Sequence, residues 1–145
     1  MPTEALLDVN VLIAMVFTDH AQHLVARTFV EGLNRFQTTP TTQGGFLRFA
    51  TRPWKNEQRQ EQAPRLTMRS AFTVLGEITQ VAGHEFVPDD ASYTDLDTPP
   101  MQGHRQWTDA YLLHLARKRG VVLASLESRM SNLDDPADPA LFVVR

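Results

Sequence analysis

The sequence predicts an α/β fold: a central, mainly parallel sheet of four or five strands with helices on both faces. Three observations lead there. Short apolar runs at 4–8, 36–39, 85–87, 121–124 and 141–144 read as buried strands. Longer segments of helical periodicity lie between them, and parallel strands need such crossovers. With 145 residues the chain is long enough for a real core, so 1–145 is expected to form a single three-layer α/β/α domain.

The chain opens on Ala5-Leu6-Leu7-Asp8-Val9-Asn10-Val11-Leu12-Ile13-Ala14, an interior run that carries one carboxylate and one amide. From 11 to 17 it stays apolar, and periodicity does not separate helix from strand. A helix follows over 20–33, with Leu24, Val25, Thr28, Phe29 and Leu33 on one stripe and Gly32 near its end. Phe36 to Thr39 is a strand closed by Pro40, and Thr41 to Thr51 a helix stopped by Arg52-Pro53. Gly44 and Gly45 lie inside that helix at about 1 kcal/mol each relative to Ala. They imply close approach of a backbone or ligand, though packing alone also explains them.

The polar, Gln-rich stretch 52–65 reads as an irregular connection. Leu66 to Val81 is a helix with Met68, Phe72, Leu75 and Ile78 as expected core contacts. Glu85 to Val87 is a strand and Pro88-Asp89-Asp90 a turn. Asp95 to Arg105, with Thr98-Pro99-Pro100 and Gly103, is a loop by composition. Trp107 to Lys118 is a buried helix closed by Arg117, Lys118, Arg119 and Gly120. Strands at 121–124 and 141–144 complete the pattern.

Bulk properties narrow the function. A net charge of -3 argues against a protein that coats nucleic acid by bulk attraction, but not against one that handles it locally. Without cysteine, disulfides and thiolate zinc sites are excluded, which suits a reducing compartment. Acidic Glu4 and Asp8 stand where a signal peptide needs positive charge, and the first apolar run is too short to cross a bilayer. A cytoplasmic protein with no membrane partner is expected.

In a parallel sheet, sites form beyond the carboxyl ends of the strands. Asp8 closes the first strand, Glu127 follows the fourth, and Asp109 lies near the start of the buried helix. Each has a simpler role: Asp8 as a helix cap, Asp109 as a first-turn acid with Thr108 as N-cap, Glu127 as a surface turn residue. Taken together at one edge, they would repel one another unless a divalent cation lay between them. All-oxygen ligands point to Mg²⁺ or Mn²⁺, and the matching chemistry is metal-assisted phosphodiester hydrolysis.

On these residues the chain resembles the PIN-domain family, and within it the VapC-type ribonuclease toxins of type II toxin–antitoxin (VapBC) pairs. The matching stretches are Leu6-Leu7-Asp8-Val9-Asn10-Val11-Leu12-Ile13-Ala14, Thr41-Thr42-Gln43-Gly44-Gly45-Phe46-Leu47-Arg48, Thr108-Asp109-Ala110-Tyr111-Leu112 and Leu123-Ala124-Ser125-Leu126-Glu127. The resemblance implies a three-layer PIN-like fold and a Mg²⁺-dependent endoribonuclease acting on structured RNA such as tRNA or rRNA. It further implies a homodimer and a cognate VapB-like antitoxin. Two departures stand out: Gln43 replaces the acid many members carry on the second helix, and Glu127 is one methylene longer than the usual Asp.

Asp8 and Asp109 are therefore expected to hold the main metal, with Glu127 assisting or activating water and Gln43 contributing an amide. A second ion, about 3.5–4 Å away in two-metal enzymes, would need substrate phosphate to complete it. Asn10 and Thr108 are expected to orient the carboxylates. Arg48 and Arg52 are assigned to RNA phosphates; Lys55, Arg59, Arg65 and Arg69 either extend that contact or form a solvated face, the second being favoured. His20 and His23 are spaced for a metal but fit a surface or hinge role. Trp54 and Trp107 read as packing residues, and Asp89, Asp90, Asp95 and Asp97 as caps and loop residues. Two competing classes remain: a PIN-fold binding module without turnover, and phosphotransfer on Asp8 as in haloacid-dehalogenase-like phosphatases or receiver domains. The second Asp that such phosphatases need is Asn10 here, and the acid pair of receivers has no counterpart.

Overall fold

A computed structural model describes residues 1–97 and 101–145. Strands β1 (Glu4–Leu7), β2 (Arg35–Thr38), β5 (His84–Phe86), β6 (Val122–Ser125) and β7 (Leu141–Val143) form one parallel sheet in the order β5-β2-β1-β6-β7. The remaining strands, β3 (Trp54–Lys55) and β4 (Glu61–Gln62), make a separate antiparallel hairpin.

Period-two alternation in the central strand divides the interior in two. Ala5 and Leu7 point into one apolar cluster, Leu6 into the other. The first cluster is closed by α1 (Val9–Val16), α2 (His23–Glu31), α3 (Pro40–Thr51) and α4 (Met68–Gln80). The second is closed by α5 (Gln106–Arg119), which buries Ala110, Tyr111, Leu112, Leu113, Leu115 and Ala116. These are the three layers expected. Among the described residues no helix is long and apolar enough to cross a membrane.

Local signals explain the helix ends. Thr39 and Thr42 bond reciprocally across the first turn of α3, a capping box with Pro40 at the first helical position. Gly120 ends α5 at φ 68°, a left-handed conformation a residue with a Cβ adopts at a cost. The ambiguous run is helical as far as Val16, with Asp8 as its N-cap and Phe17 as its C-cap.

Four expectations change. On α2 the buried face is Ala26, Phe29, Val30 and Leu33, spaced i, i+3, i+4, i+7, so Leu24 (75% exposed), Val25 and Thr28 face solvent. On α4 the same spacing selects Ala71, Val74, Leu75 and Ile78, which turns Phe72 (73% exposed) outward. Met68, in the first turn, is 74% exposed. The stretch 52–65 is a hairpin rather than an irregular connection; Asn56 accepts the amide of Gln60 across its turn, and the Leu66 amide returns to the Ala50 carbonyl. Two-residue strands are too short to show a period. Of the 95–105 loop, Tyr93–Asp95 forms a 3-10 turn at its start, and Thr98-Pro99-Pro100 lie outside the described residues.

The adjacent glycines resolve into two roles. A Cβ on Gly45 would lie 2.7 Å from Val9 Cγ2, so α3 can lie against the start of α1 only where that carbon is missing. At Gly44 it would meet only the Arg48 guanidinium, at 3.1 Å, which can swing aside. Gly45→Ala is expected to destabilise the fold by about 1–3 kcal/mol through overpacking. Gly44→Ala should instead gain up to about 1 kcal/mol from helix propensity. Urea unfolding of both variants checks the contrast, and Val9→Ala combined with Gly45→Ala should recover part of the loss.

Candidate active site

The register of the sheet builds the site. Leu7 pairs with Ala124, so the next residues along each strand, Asp8 and Ser125, come side by side at the carboxyl edge. Asp8 is only 6% exposed, and its carboxylate is held at both oxygens. Oδ1 accepts the Val9 amide at 2.8 Å, and Oδ2 accepts the Ser125 hydroxyl at 2.8 Å. Burial pushes the Asp8 pKa above the ordinary carboxylate range; the Ser125 and Val9 bonds oppose this, and the charge of Glu127 adds to it.

Asp109 sits in the first turn of α5 and shares the cleft with Asp8. Its pKa is pushed up to about 6, first by burial and then by the charges of Asp8 and Glu127. Glu127 caps the 3-10 helix Ser128–Leu133: Oε1 accepts the Arg129 amide at 2.9 Å and lies 3.7 Å from the Arg129 Nε. Asp8, Asp109 and Glu127 line one cleft of about 420 Å³ together with Asn10, Arg48, Phe49 and Arg52. Asp8 thus shares a cleft with two acids more than a hundred positions further along the chain, and with two arginines.

Two assigned residues are placed elsewhere. The Gln43 amide donates to Thr38 Oγ1 at 3.0 Å, and the same hydroxyl contacts His84 Nε2 at 2.7 Å, so Gln43 is engaged beside the cleft and does not line it. Thr108 is exposed within α5 rather than capping it; Arg105 holds the cap position, and no side-chain bond joins Thr108 to Asp109 among the described residues. Asn10 does orient the site, but at one remove. Its Nδ2 donates to Ser125 Oγ at 3.0 Å, and its Oδ1 accepts the Leu126 amide at 3.1 Å. Ser125 is the connecting atom that residue-by-residue reading passed over: it donates to Asp8 and accepts from Asn10 and the Glu127 amide. The available signal was a hydroxyl at the end of the strand neighbouring Asp8.

The other polar residues fall into local roles. His20 and His23 bond the Gln22 amide and the Ala14 carbonyl, and Asp89 accepts from the Thr41 amide and hydroxyl. Trp54 lies under the Arg65 guanidinium, while Trp107 is largely exposed and meets Tyr93 edge-on.

Among the described residues no group of three acids or histidines closes tightly enough to form a ready metal cage; Glu127 is turned to the Arg129 amide. The donor chemistry nevertheless suits a hard dication. Every acidic donor is a carboxylate oxygen, and the mutual repulsion felt by Asp109 is negative charge that its surroundings leave uncompensated. Asp8 and Asp109 are the pair fitted to hold such an ion.

Comparison with known proteins agrees with this geometry. The PIN domain family model matches residues 5–136. Ribonuclease VapC38 of Mycobacterium tuberculosis is 37% identical over 131 residues, covering 89% of each chain. Ribonuclease VapC29 of the same species is 36% identical over 88% of this chain and 89% of its own. Among solved structures, the crystal structure of M. tuberculosis VapC20, titled a Sarcin-Ricin loop cleaving toxin, superposes with a TM-score of 0.60 over 88% of this chain and 92% of that one. At 14% identity that likeness concerns the fold alone.

The raised Asp109 pKa has a consequence for stability. Folded, Asp109 holds its proton up to about pH 6; unfolded, it releases it near the ordinary 3.8. Between these values the native state binds more protons, so stability rises as pH falls and is lost as pH rises through 6. Metal-free protein is therefore expected to lose this contribution as pH rises from about 3.8 to about 6. Asp109→Asn, neutral throughout, should flatten that part of the profile, as urea titrations in chelator would measure.

Proposed function

Because this chain belongs to the PIN-domain family and is a VapC-type ribonuclease toxin, we propose that it cuts structured RNA, such as tRNA or rRNA, with the help of Mg²⁺ or Mn²⁺. The observation that carries this reading is the convergence of Asp8, Asp109 and Glu127 in one cleft that also holds Arg48 and Arg52. Asp8 and Asp109 would hold the ion. When bound, it would polarise a phosphate oxygen and lower the pKa of a water.

The chain's own residues do the rest. Ser125 and the Val9 amide keep the Asp8 carboxylate in one orientation, and Asn10 keeps Ser125 in place. Glu127 Oε2, the oxygen not bonded to the Arg129 amide, is the acceptor for the proton of an attacking water. Arg48 and Arg52 bind the flanking phosphates and offset the charge that builds on the scissile group. Gln43 donates to Thr38 and so ties the start of α3 to the end of β2.

The partner expected with this toxin is a VapB-like antitoxin, and the active form a homodimer in the cytoplasm. An apolar groove of about 600 Å³, lined by Met15, Val16, Val30, Leu33, Val74 and Ile78, suits an amphipathic antitoxin segment.

Purified protein incubated with total cellular RNA should produce discrete cuts with Mg²⁺ and none with chelator, and mapping the ends identifies the RNA. Asp8→Ala and Asp109→Ala should abolish cutting while leaving the circular dichroism spectrum intact. Ser125→Ala, which removes only the orienting hydroxyl, should lower cleavage by roughly 10- to 100-fold. Wild-type cleavage by either Asp variant would refute the assignment. Protein that cuts no RNA with either ion would instead be the binding module without turnover.

A further inference from the structure

Beyond the cleft, Arg65, three residues past the end of the β3–β4 hairpin, has surroundings that do not account for its charge. The Arg65 guanidinium is sandwiched between two aromatic rings, its Cζ 4.3 Å from the Trp54 centroid and 4.4 Å from that of Phe49. Such stacking fixes the plane of the group and leaves its N–H edge directional. Its Nη1 is buried without a hydrogen-bond partner, which leaves the other N–H groups of the guanidinium to meet a ligand, and Arg65 forms no ion pair among the described residues. Asp19 lines the same pocket without pairing with it. An unsatisfied buried donor is costly, more so when charged. Packing alone would be served better by an apolar side chain of the same length.

Phe49 joins this arginine to the cleft. One Phe49 ring carries Arg65 at 4.4 Å and Arg52 at 5.2 Å, and Phe49 and Arg52 both line the cleft with Asp8 and Asp109. Arg48 and Arg52 thus line the cleft and Arg65 adjoins it through Phe49, a local group of cations in a chain whose net charge is -3. A phosphodiester backbone offers repeating anions to such a group, and its paired oxygens fit a fixed guanidinium fork.

We propose that Arg65, oriented by Trp54 and Phe49, binds an RNA phosphate outside the scissile position, and that the hairpin serves to present it. This rests on the ribonuclease reading and extends its substrate contacts past Arg48 and Arg52. The sequence leaves the basic residues after Arg52 between phosphate binding and a solvated face and favours the face; the aromatic contacts of Arg65 single it out from them.

Binding of fluorescein-labelled cellular tRNA to Asp8→Asn protein, titrated at several salt concentrations, tests it. Arg65→Met keeps the apolar length and removes the charge; Arg65→Gln gives the same reading if the Met variant does not fold. Loss of one phosphate contact should make the salt slope shallower by about 0.7, so that affinity falls about 2.6-fold less between about 50 and 200 mM salt. Arg65→Lys should retain the slope yet bind several-fold more weakly, having lost the stacked fork. Arg27→Met, altering a residue paired with Glu31 on α2, should leave the slope unchanged. An unaltered slope and affinity in folded Arg65→Met overturns this proposal while leaving the ribonuclease reading in place. Parent protein that binds no RNA overturns both.

Discussion

Everything in the site depends on a carboxylate kept inside the protein at the end of the central strand. Asp8 is buried against the free energy of desolvation, and the fold tolerates it through two short hydrogen bonds, one from its own helix and one from a neighbouring strand. The second is the more consequential. It ties β1 to β6, places the Glu127 amide on the same hydroxyl, and brings in Asn10 from the first turn of α1. One serine thus joins three parts of the chain into a single polar network at the sheet edge.

The same burial makes the site electrically unbalanced. Asp8 and Glu127 raise the proton affinity of Asp109, and no cation pairs with Asp109 among the described residues. An enzyme that handles phosphodiesters gains from this arrangement, because a dication taken up by the acids can then face an anionic substrate. The arginines of α3 add fixed positive charge along the approach. Phe49 contacts Arg52 and, from beyond the hairpin, Arg65, so these two cations are held by aromatic packing and not by salt bridges among the described residues.

Helix packing sets the width of the cleft. α1 and α3 meet where Gly45 faces Val9, and both residues line the cleft wall. A side chain at 45 would push apart the helix that begins at Asp8 and the helix that carries Arg48. The energetic penalty of two glycines within one helix is explained unequally: close contact requires the second, whereas the first leaves room for the Arg48 side chain lying over it.

Much of this was legible in the sequence. Alternating apolar runs and helical segments specify a parallel sheet, because crossover connections leave few other arrangements, and the acids at 8, 109 and 127 fall where such sheets form sites. Capping signals at Asp8, Thr39 and Gly120 also operate through neighbouring residues alone. Tertiary structure decided what depends on partners distant in the chain. Which side of α2 and α4 is buried follows from the helices beside them, so Leu24, Met68 and Phe72 face water despite their apolarity. Gln43 was drawn to Thr38, Ser125 became a junction through its place beside Asp8, and Arg65 found its two rings only once the hairpin had folded back over α3. Periodicity records the direction in which a side chain leaves the backbone; what it meets there is a property of the assembled fold.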